Sequence, residues 1–592
     1  MKKGKLLKFL QCWRSVTAAA LFSVAGAANA QLSGTVTVGA GGTYTNLTAL
    51  ASAISGSGVN GALTVNFISD VTESSTVTFT QNASNPTSST NTITINGNGK
   101  KFISSATYAG IALNGMDYMT IDGLVIQRTN TSTAQWGVHF YGQADYNTLT
   151  NSTIEYTALS TGSTGGGAYV VFSASTTSPT SITSTYNGRY NVIDNNLMRT
   201  TSSNSPGPTY AITNFGSSSL YSSTASNNTF KNNTIQNYYY LAVYNYYTNG
   251  DEFLNNDISR ENATTNNAYS ATYVFYNYYT YSTNRSTRIE GNKVHDLPYK
   301  GAVAASSGYT STVYGMYNYY NYGNSSNYFT IKGNTYENIV CASSNYFTYS
   351  YYNYYTNVDG NTIRNWRSLG TSAYCYGFYM YYQYNDHKFN NNVIEKCFTK
   401  YYTYFVYLNY GDKQTITGNV IKNNVTADGS TAYTYAWYVY SPSSSYTHIF
   451  EDNTMDSNDF GCYTYGHYFY YWNGTFNRNK ITNNRIYNAN YSGYYGYFYA
   501  TAHQYFYNFQ CNNNLFANNI GTYGAFALYC YSYNSGTYYA EFKQNTIKDD
   551  HSQASYAYPY VYGLYCYPYY HTKVNVIGNI VDVQNTYGCY PA

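Results

Sequence analysis

The sequence predicts an all-β protein, a single right-handed parallel β-helix solenoid with a short N-terminal capping helix. One observation is a two-part sequence motif that recurs along the chain. In residues 376–382, Phe378 and Met380 alternate with Tyr379 and Tyr381, which is the period of a strand with two different faces. An asparagine turn and a second apolar segment, in residues 388–394, form the second part of the motif.

A second observation is that two independent markers of this motif recur at unequal intervals that vary together along the chain. The first marker is a tyrosine column: Tyr244, Tyr276, Tyr317, Tyr352, Tyr379, Tyr407, Tyr438, Tyr468, Tyr497, Tyr529, Tyr565. The second is the turn asparagine: Asn233, Asn256, Asn292, Asn334, Asn361, Asn392, Asn419, Asn453, Asn479, Asn514, Asn545, Asn579. The tyrosine intervals run from 27 to 41 residues. Regular strands joined by loops of unequal length are typical of a solenoid whose coils pack on their neighbours.

The first 30 residues are typical of a secretory signal. They combine a basic start, a short apolar run at 16–24 and the small-residue triplet Ala28-Asn29-Ala30, so cleavage is expected after Ala30. The apolar run is too short to cross a bilayer, and no transmembrane segment is predicted later in the chain. We therefore expect a secreted, extracellular or cell-surface protein.

Charge argues against a nucleic-acid partner. The chain has 30 Lys and Arg against 27 Asp and Glu, and the signal carries five of the basic residues and no acid. The mature chain is left with 25 basic against 27 acidic residues. The excess of basic residues is therefore confined to the targeting segment, and the charge of the mature chain gives no support to a role in binding nucleic acid.

Residues 31–61 predict a cap over the first coil. A strand at Gly34 to Val38 is followed by a glycine turn, and then Leu47, Leu50 and Ile54 recur at helical spacing. This stretch, residues 36–54, resembles the entrance of pectin-lyase-like proteins, which the repeats over 62–592 also resemble. The resemblance implies a right-handed parallel β-helix and an extracellular or carbohydrate-related setting, and does not by itself imply catalysis.

The repeats divide in two. Residues 62–240 are read as early coils without tyrosine columns, and residues 241–592 as tyrosine-rich coils. The last residues, 587–592, look like the start of a further coil, so we expect a C-terminally truncated chain or end-to-end association at that open coil.

Two inward features are expected to be structural. Stacked amides are predicted to form a hydrogen-bonded ladder at the aligned positions Asn214, Asn245, Asn277, Asn318 and Asn353. The Asn-x-apolar turns are expected to be backbone chemistry rather than a ligand site, since Asn and Gly tolerate the left-handed bend between strands. Cys530 and Cys566 occupy equivalent positions, either as a disulfide or as stacked free thiols, with the thiols favoured by the spacing between coils.

The outward tyrosines are the candidate binding surface. A second column lies two residues beyond the first, with Asn409 as its gap, and eleven coils at about 4.8 Å give a phenolic ribbon of roughly 48 Å. Sugar rings stack on aromatic faces, so a polysaccharide or surface glycan is the expected partner and adhesion the expected role. The alternative is that stacked tyrosines only stabilise the solenoid. The candidate residues are Tyr276, Tyr317, Tyr352, Tyr379, Tyr381, Tyr407, Tyr438, Tyr440, Tyr468 and Tyr470.

The rival function is a polysaccharide lyase or glycoside hydrolase of the same fold. Such enzymes need carboxylates clustered on one face. The best groupings are Asp549-Asp550-His551, His295-Asp296 and Asp386-His387, whose adjacent members point to opposite sides of a strand. No catalytic residue, cofactor or metal site is therefore predicted, although acids from different coils could meet in space.

Overall fold

A computed structural model describes residues 31–585 except 133, 159–164, 202–206, 262, 264–268, 270, 301–311, 428–431, 487–495, 535 and 553–559. The predicted signal at 1–30 and the C-terminal residues 586–592 lie outside the described residues. Within the described part, no helix is both long and apolar enough to cross a membrane.

The chain coils through three parallel faces, one strand per face in most coils, which confirms the predicted all-β parallel solenoid. Its right-handedness stays a prediction. The first face contains the strands Val77–Thr80, Ala109–Asn114, Trp136–Tyr141, Ala168–Phe172, Tyr210–Phe215, Leu241–Asn249, Ala271–Tyr281, Thr312–Tyr322, Asn345–Asp359, Cys375–Asn390, Thr403–Thr417, Tyr433–Tyr440, Tyr463–Tyr470, Tyr497–Gln504, Gly524–Ser532 and Tyr560–Pro568.

The second face continues from the first, and three long strands, Asn345–Asp359, Cys375–Asn390 and Thr403–Thr417, belong to both. Its other strands are Leu32–Val38, Val59–Phe67, Ile93–Asn96, Met119–Asp122, Thr148–Thr150, Val192–Asp194, Thr229–Lys231, Glu252–Leu254, Arg288–Glu290, Phe329–Lys332, His448–Glu451, Gly474–Asn477, Phe509–Asn512, Tyr539–Lys543 and Lys573–Ile577.

The third face closes each coil. Its main strands are Val71–Glu73, Lys101–Ser104, Val125–Arg128, Thr153–Tyr156, Leu197–Thr200, Thr234–Gln236, Asp257–Ser259, Lys293–Leu297, Thr335–Cys341, Thr362–Ser368, Val393–Glu395, Val420–Lys422, Thr454–Asp456, Lys480–Thr482, Leu515–Ala517, Thr546–Ser552 and Ile580–Asn585. Shorter strands run beside them: Phe398–Thr399, Val425–Thr426, Asp459–Phe460, Arg485–Ile486 and Ile520–Gly521.

The predicted cap is present as one helix, Leu47–Ser57, after the strand Leu32–Val38. The Asn46 side chain accepts a hydrogen bond from the Ala49 amide and so caps the helix N-terminus. Leu47, Leu50, Ala51 and Ile54 are buried against the first coils, as the helical spacing predicts. The helix therefore covers apolar surface that the first coil would otherwise expose.

A ladder of asparagines runs through the turn between the second and third faces. Each side-chain oxygen accepts hydrogen bonds from the backbone amide and the Nδ2 of the equivalent asparagine one coil earlier. Asn361, for example, donates from N and Nδ2 to Asn392 Oδ1 at 3.0 and 2.9 Å. Asn392 repeats this with Asn419 at 2.9 and 3.0 Å. These side chains are buried, so the ladder satisfies polar groups in every coil.

The left-handed bend of these turns is taken by Asn or Gly in nine of the twelve coils, as predicted, although the twelve marker asparagines themselves do not occupy it. The left-handed residue is the one before each ladder asparagine, such as Asn391 with φ 55° or Gly418 with φ 69°. The ladder asparagine works through its side chain instead. A second ladder in the third face, Asn424, Asn458, Asn484 and Asn519, ends on a buried Asp550 that accepts from the Asn519 amide at 2.8 Å.

The inner ladder of the first face is confirmed except at its last member. Asn214, Asn245 and Asn277 each donate to the next coil, and Asn318 donates to Ser350 at 3.2 Å. Asn353 instead pairs with Asn321, three residues further along. The physical reason is a strand register different from the predicted one, described below.

Cys530 and Cys566 are free thiols that lie in register in adjacent coils. Burial raises the pKa of the Cys566 thiol to about 12. The favoured alternative of the sequence, stacked thiols, is therefore the one present.

Candidate functional site: a slab of stacked tyrosines

Outward side chains of the first face form five columns along the solenoid, which we call the tyrosine slab. Column 1 contains Tyr273, Tyr314, Tyr346, Tyr376, Tyr404, Tyr435, Tyr465, Tyr499, Phe526 and Tyr562. Column 2 contains Tyr244, Tyr276, Tyr317, Tyr349, Tyr379, Tyr407, Tyr438, Tyr468, Tyr529 and Tyr565, with Ala502 after Tyr468.

The other three columns lie beside these. Column 3 contains Tyr246, Tyr278, Tyr319, Tyr351, Tyr381, Tyr440, Tyr470, Tyr531 and Tyr567, with Asn409 and Gln504 as gaps. Column 4 contains Tyr247, Tyr279, Tyr320, Tyr352, Tyr382, Tyr410, Tyr471 and Tyr505. Column 5 contains Tyr281, Tyr322, Tyr354 and Tyr384.

The rings stack from coil to coil. In column 2, the centroids of Tyr379 and Tyr407 are 4.9 Å apart and their planes differ by 1°. In column 1, Tyr404 and Tyr435 are 4.9 Å apart at 3°. Adjacent columns 1 and 2 meet edge to face, as in Tyr404 and Tyr407 at 90°. Both arrangements are favourable for aromatic quadrupoles, so the slab is a continuous aromatic packing on the outside of the solenoid.

Nine of the ten predicted binding residues lie where they were placed. Tyr276, Tyr317, Tyr379, Tyr407, Tyr438 and Tyr468 share column 2, and Tyr381, Tyr440 and Tyr470 share column 3. Tyr352 does not align with Tyr317. Tyr349 does, and Tyr352 belongs to column 4.

This error is a slip of three residues within the strand Asn345–Asp359. Tyrosines at 346, 349, 352 and 355 give two alignments that both match the main pattern. Tyr497 is misplaced for a different reason: Ala502 fills the column 2 position after Tyr468, so no tyrosine marks that position. A template using all five columns would have found the register at the first site. Counted from Tyr349 it finds five tyrosines, and counted from Tyr352 only four.

The ring faces in the unbroken part of the slab are largely covered by neighbouring rings. Aromatic carbons pack at roughly 3.5–4.0 Å, so parallel planes with centroids 4.9 Å apart are offset stacks in contact on both sides. The slab residues are mostly half-buried as a result. Solvent therefore meets ring edges and hydroxyls, and the expected stacking of sugars on ring faces is not available there.

Burial holds several hydroxyls of the slab in their neutral form. Burial, followed by the neighbouring hydroxyl of Tyr352, raises the pKa of Tyr351 to about 12. Burial and the nearby Tyr407 raise the pKa of Tyr379 well above its usual value. Columns 1 to 4 contain no charged side chain, so they present dipoles rather than charge. The Asp412 carboxylate lies beside column 5, where it adds to the burial that raises the pKa of Tyr384.

The carboxylate groupings singled out by the sequence do not form a cluster on the slab. His387 is buried inside the coil, whereas Asp386 lies outside and accepts from the Tyr328 hydroxyl at 2.7 Å. Asp550 is buried and Asp549 is half-buried. These adjacent residues diverge as strand geometry predicts.

His295 is the exception, because it touches two carboxylates. It lies 2.7 Å from Asp296 and 2.7 Å from Asp257, on the third face. The Asp257 hydrogen bond raises the pKa of His295 and favours the imidazolium form, which suits an ion pair better than a base. In the part of the chain that the structure describes, no group of three His, Cys, Asp or Glu side chains could hold a metal ion.

The sequence matches no family model and no curated protein. Among solved structures it is similar to a PL6 family polysaccharide lyase from Pseudopedobacter saltans, at 13% identity and TM-score 0.23, over 92% of each chain. The PL6 family alginate lyase AlyGC is 9% identical at TM-score 0.24, over 90% of this chain and 98% of its own. The A-module of a mannuronan C-5 epimerase from Azotobacter vinelandii is 9% identical at TM-score 0.20, over 88% and 91%. These likenesses are too distant to bear on what this chain does.

Proposed function

We propose that this protein is a secreted, non-catalytic scaffold that binds an extended, uncharged polysaccharide along the tyrosine slab. The observation that supports it is the slab itself. An aromatic surface of this extent on the outside of a protein is usually a contact surface. In the coils from Ala271–Tyr281 to Cys375–Asn390, each strand contributes five tyrosines side by side.

The spacing of the slab suits an extended glycan. Where a column is unbroken, it offers one hydroxyl per coil, at the coil repeat of about 4.8 Å. This repeat is comparable with the length of one sugar residue in an extended chain. A glycan lying parallel to the solenoid axis can therefore meet equivalent hydroxyls and ring edges at every residue. The bound sugar hydroxyls would exchange water for phenol partners.

The lack of charge selects the class of glycan. The five columns contain no Lys or Arg to pair with uronate carboxylates, and burial and neighbouring phenols raise the pKa values of hydroxyls such as those of Tyr351 and Tyr379. Burying a carboxylate against such a surface would be unfavourable. We therefore expect neutral polysaccharides to bind in preference to polyuronates, with little dependence on ionic strength.

The test is a variant in which Tyr379, Tyr407 and Tyr438 all become serine. Losing three neutral hydrogen-bonding positions at about 1 kcal/mol each weakens binding by roughly a hundredfold. Retention on a panel of insoluble neutral polysaccharides, with alginate as the acidic counterpart, measures it. Circular dichroism and thermal melting check the fold.

A matched control exists in the early coils. Tyr118, Tyr146 and Tyr190 stack on one another at 4.9 and 4.8 Å, outside the slab. Changing all three to serine removes as many stacked phenols and leaves the slab intact, so binding should persist. Equal binding by both triple variants, or release of reducing ends from the bound polysaccharide, would contradict the proposal.

A further inference from the structure

Two open cavities lie at the two ends of the slab. The first, about 440 Å³, is lined by side chains that include Tyr210, Phe215, Leu241 and Tyr244. The second, about 420 Å³, is lined by side chains that include Tyr463, Tyr499, Phe526, Tyr529 and Tyr565. Both volumes fall in the range of sites for small molecules, roughly 300–1,000 Å³.

Both cavities coincide with breaks in the tyrosine pattern. At the C-terminal cavity, Ala502 takes the column 2 position between Tyr468 and Tyr529, and Gly524 follows Tyr497 in register. Phe526 stands in column 1, where most coils have tyrosine. Ala502 is itself fully buried, and on that side no described ring lies parallel to Tyr529, which Tyr499 meets edge to face at 5.6 Å.

The N-terminal cavity repeats this arrangement. Leu241 occupies the column 1 position that pairs with Tyr273, so column 1 has no ring in that coil. Phe215 stands in register with Tyr246 of column 3. Each end of the slab therefore combines a missing ring with a phenylalanine that has no hydroxyl. In the unbroken slab, by contrast, neighbouring rings cover the ring faces.

The chemistry of the C-terminal cavity is uncharged. All its lining side chains are Tyr or Phe. The Tyr463 hydroxyl lies 3.2 Å from that of Tyr465, and burial raises the pKa of Tyr463 far above its usual value. The cavity therefore offers aromatic surface bordered by neutral hydroxyls that both donate and accept.

We propose that these two cavities are face-on subsites for single neutral pyranose rings, and that they anchor the two ends of a glycan segment on the slab. The apolar face of a pyranose can pack on an aromatic ring of the cavity. Its hydroxyls can then form hydrogen bonds with the surrounding phenol hydroxyls. A plain aromatic ring would fill the same space and leave those phenols without partners, which is unfavourable. The inference deepens the proposed function and rests on it for the identity of the ligand.

The test restores the missing rings. In Ala502→Tyr the new ring continues column 2 between Tyr468 and Tyr529, and in Leu241→Tyr it continues column 1 ahead of Tyr273. Binding of a panel of neutral hexose tetrasaccharides is measured by calorimetry. We expect saturable binding with two sites in the unchanged protein, one site in either variant and none in the double variant.

The matched control is Asn409→Tyr, which fills the gap of column 3 in the middle of the slab. It adds a ring without touching either cavity and should leave both sites in place. Should a tyrosine at 502 or 241 unfold its coil, Tyr529→Ser and Tyr244→Ser remove a wall of each cavity instead, and each should cost at least tenfold in affinity.

The outcomes separate the two proposals. If no tetrasaccharide of the panel binds, or if binding survives the double variant, the subsites are refuted, whatever the polymer does. If polymer binding is lost in the triple serine variant of column 2 but unchanged in the double tyrosine variant, the slab function stands and the subsites do not. If tetrasaccharides bind as expected and no polymer is retained, the cavities stand and the slab function does not.

Discussion

Replacing one ladder asparagine, Asn392→Ala, should destabilise its coil by about 4 kcal/mol. Asn392 Oδ1 accepts from Asn361 N and Nδ2 at 3.0 and 2.9 Å. Its Nδ2 donates to Val358 O at 3.0 Å and to Asn419 Oδ1 at 3.0 Å. Alanine removes all four hydrogen bonds at a site that is 2% exposed, so water does not replace them.

The magnitude follows from which partners are left unpaired. Asn361 Nδ2 keeps its bond to Ile331 O, and Asn419 Oδ1 keeps the Asn392 amide. The Asn361 amide loses its partner and remains buried, which costs about 1–3 kcal/mol. The other lost bonds contribute about 0.5–1.5 kcal/mol each. With the amide at about 2 kcal/mol and the other three bonds near the low end, at about 0.7 kcal/mol each because two of their partner groups keep another bond, the combined effect is about 4 kcal/mol.

Amide hydrogen exchange at Asn361 is the appropriate assay, because a solenoid opens locally rather than in one global transition. A loss of 4 kcal/mol speeds exchange through local opening roughly a thousandfold. The matched control is Asn391→Gly, the exposed left-handed neighbour with φ 55°, whose equivalents are Gly360 and Gly418. It should change stability by less than about 0.5 kcal/mol. Unchanged exchange at Asn361 in Asn392→Ala would refute the reasoning.

Two further predictions concern pH. Burial raises the pKa of Asp550 to about 7, so the ionised carboxylate is disfavoured in the fold. Asp550→Asn should therefore stabilise the last coils above pH 7 by up to about 4 kcal/mol. This advantage should be lost below about pH 4, where the carboxyl is protonated in both the folded and the unfolded chain. Exchange at the Asn519 amide, which donates to Asp550, reports it. Burial lowers the pKa of His387 to about 4, so its contribution is complete above pH 6.5 and is lost as the pH falls toward 4. His387→Leu should remove about 3 kcal/mol of this acid sensitivity, measured by unfolding at pH 7 and pH 4.5, and an unchanged difference would contradict it.

The sequence was sufficient for the fold and for the long ladder. All twelve asparagines predicted at the turns belong to the ladder, because the asparagine side chain both accepts from one coil and donates to the next. Sequence alone does not distinguish the buried asparagine from the left-handed residue before it.

The slab was predictable in outline and not in register. Tyrosine recurs every two or three residues within a strand, so a shift of three residues still places tyrosine on tyrosine, as at Tyr349 and Tyr352. Columns 1, 4 and 5 were missed for the same reason. The coverage of ring faces depends on tilt and offset between coils, which no sequence pattern encodes, and it changes which chemistry the surface can perform.

Column 4 bears on whether the slab serves more than the fold. Its tyrosines have left-handed backbones, such as Tyr320 with φ 53° and Tyr382 with φ 51°. The turns after the early strands Ala109–Asn114 and Trp136–Tyr141 begin with Gly115 and Gly142, which adopt this conformation without strain. A tyrosine there costs about 1–2 kcal/mol, and stacking on its neighbours offsets roughly that amount. Tyr118, Tyr146 and Tyr190 stack at the same left-handed φ outside the slab, so a left-handed tyrosine alone does not mark a binding surface. What distinguishes column 4 is the set of tyrosine columns beside it, and the two triple serine variants compare these two kinds of stack directly.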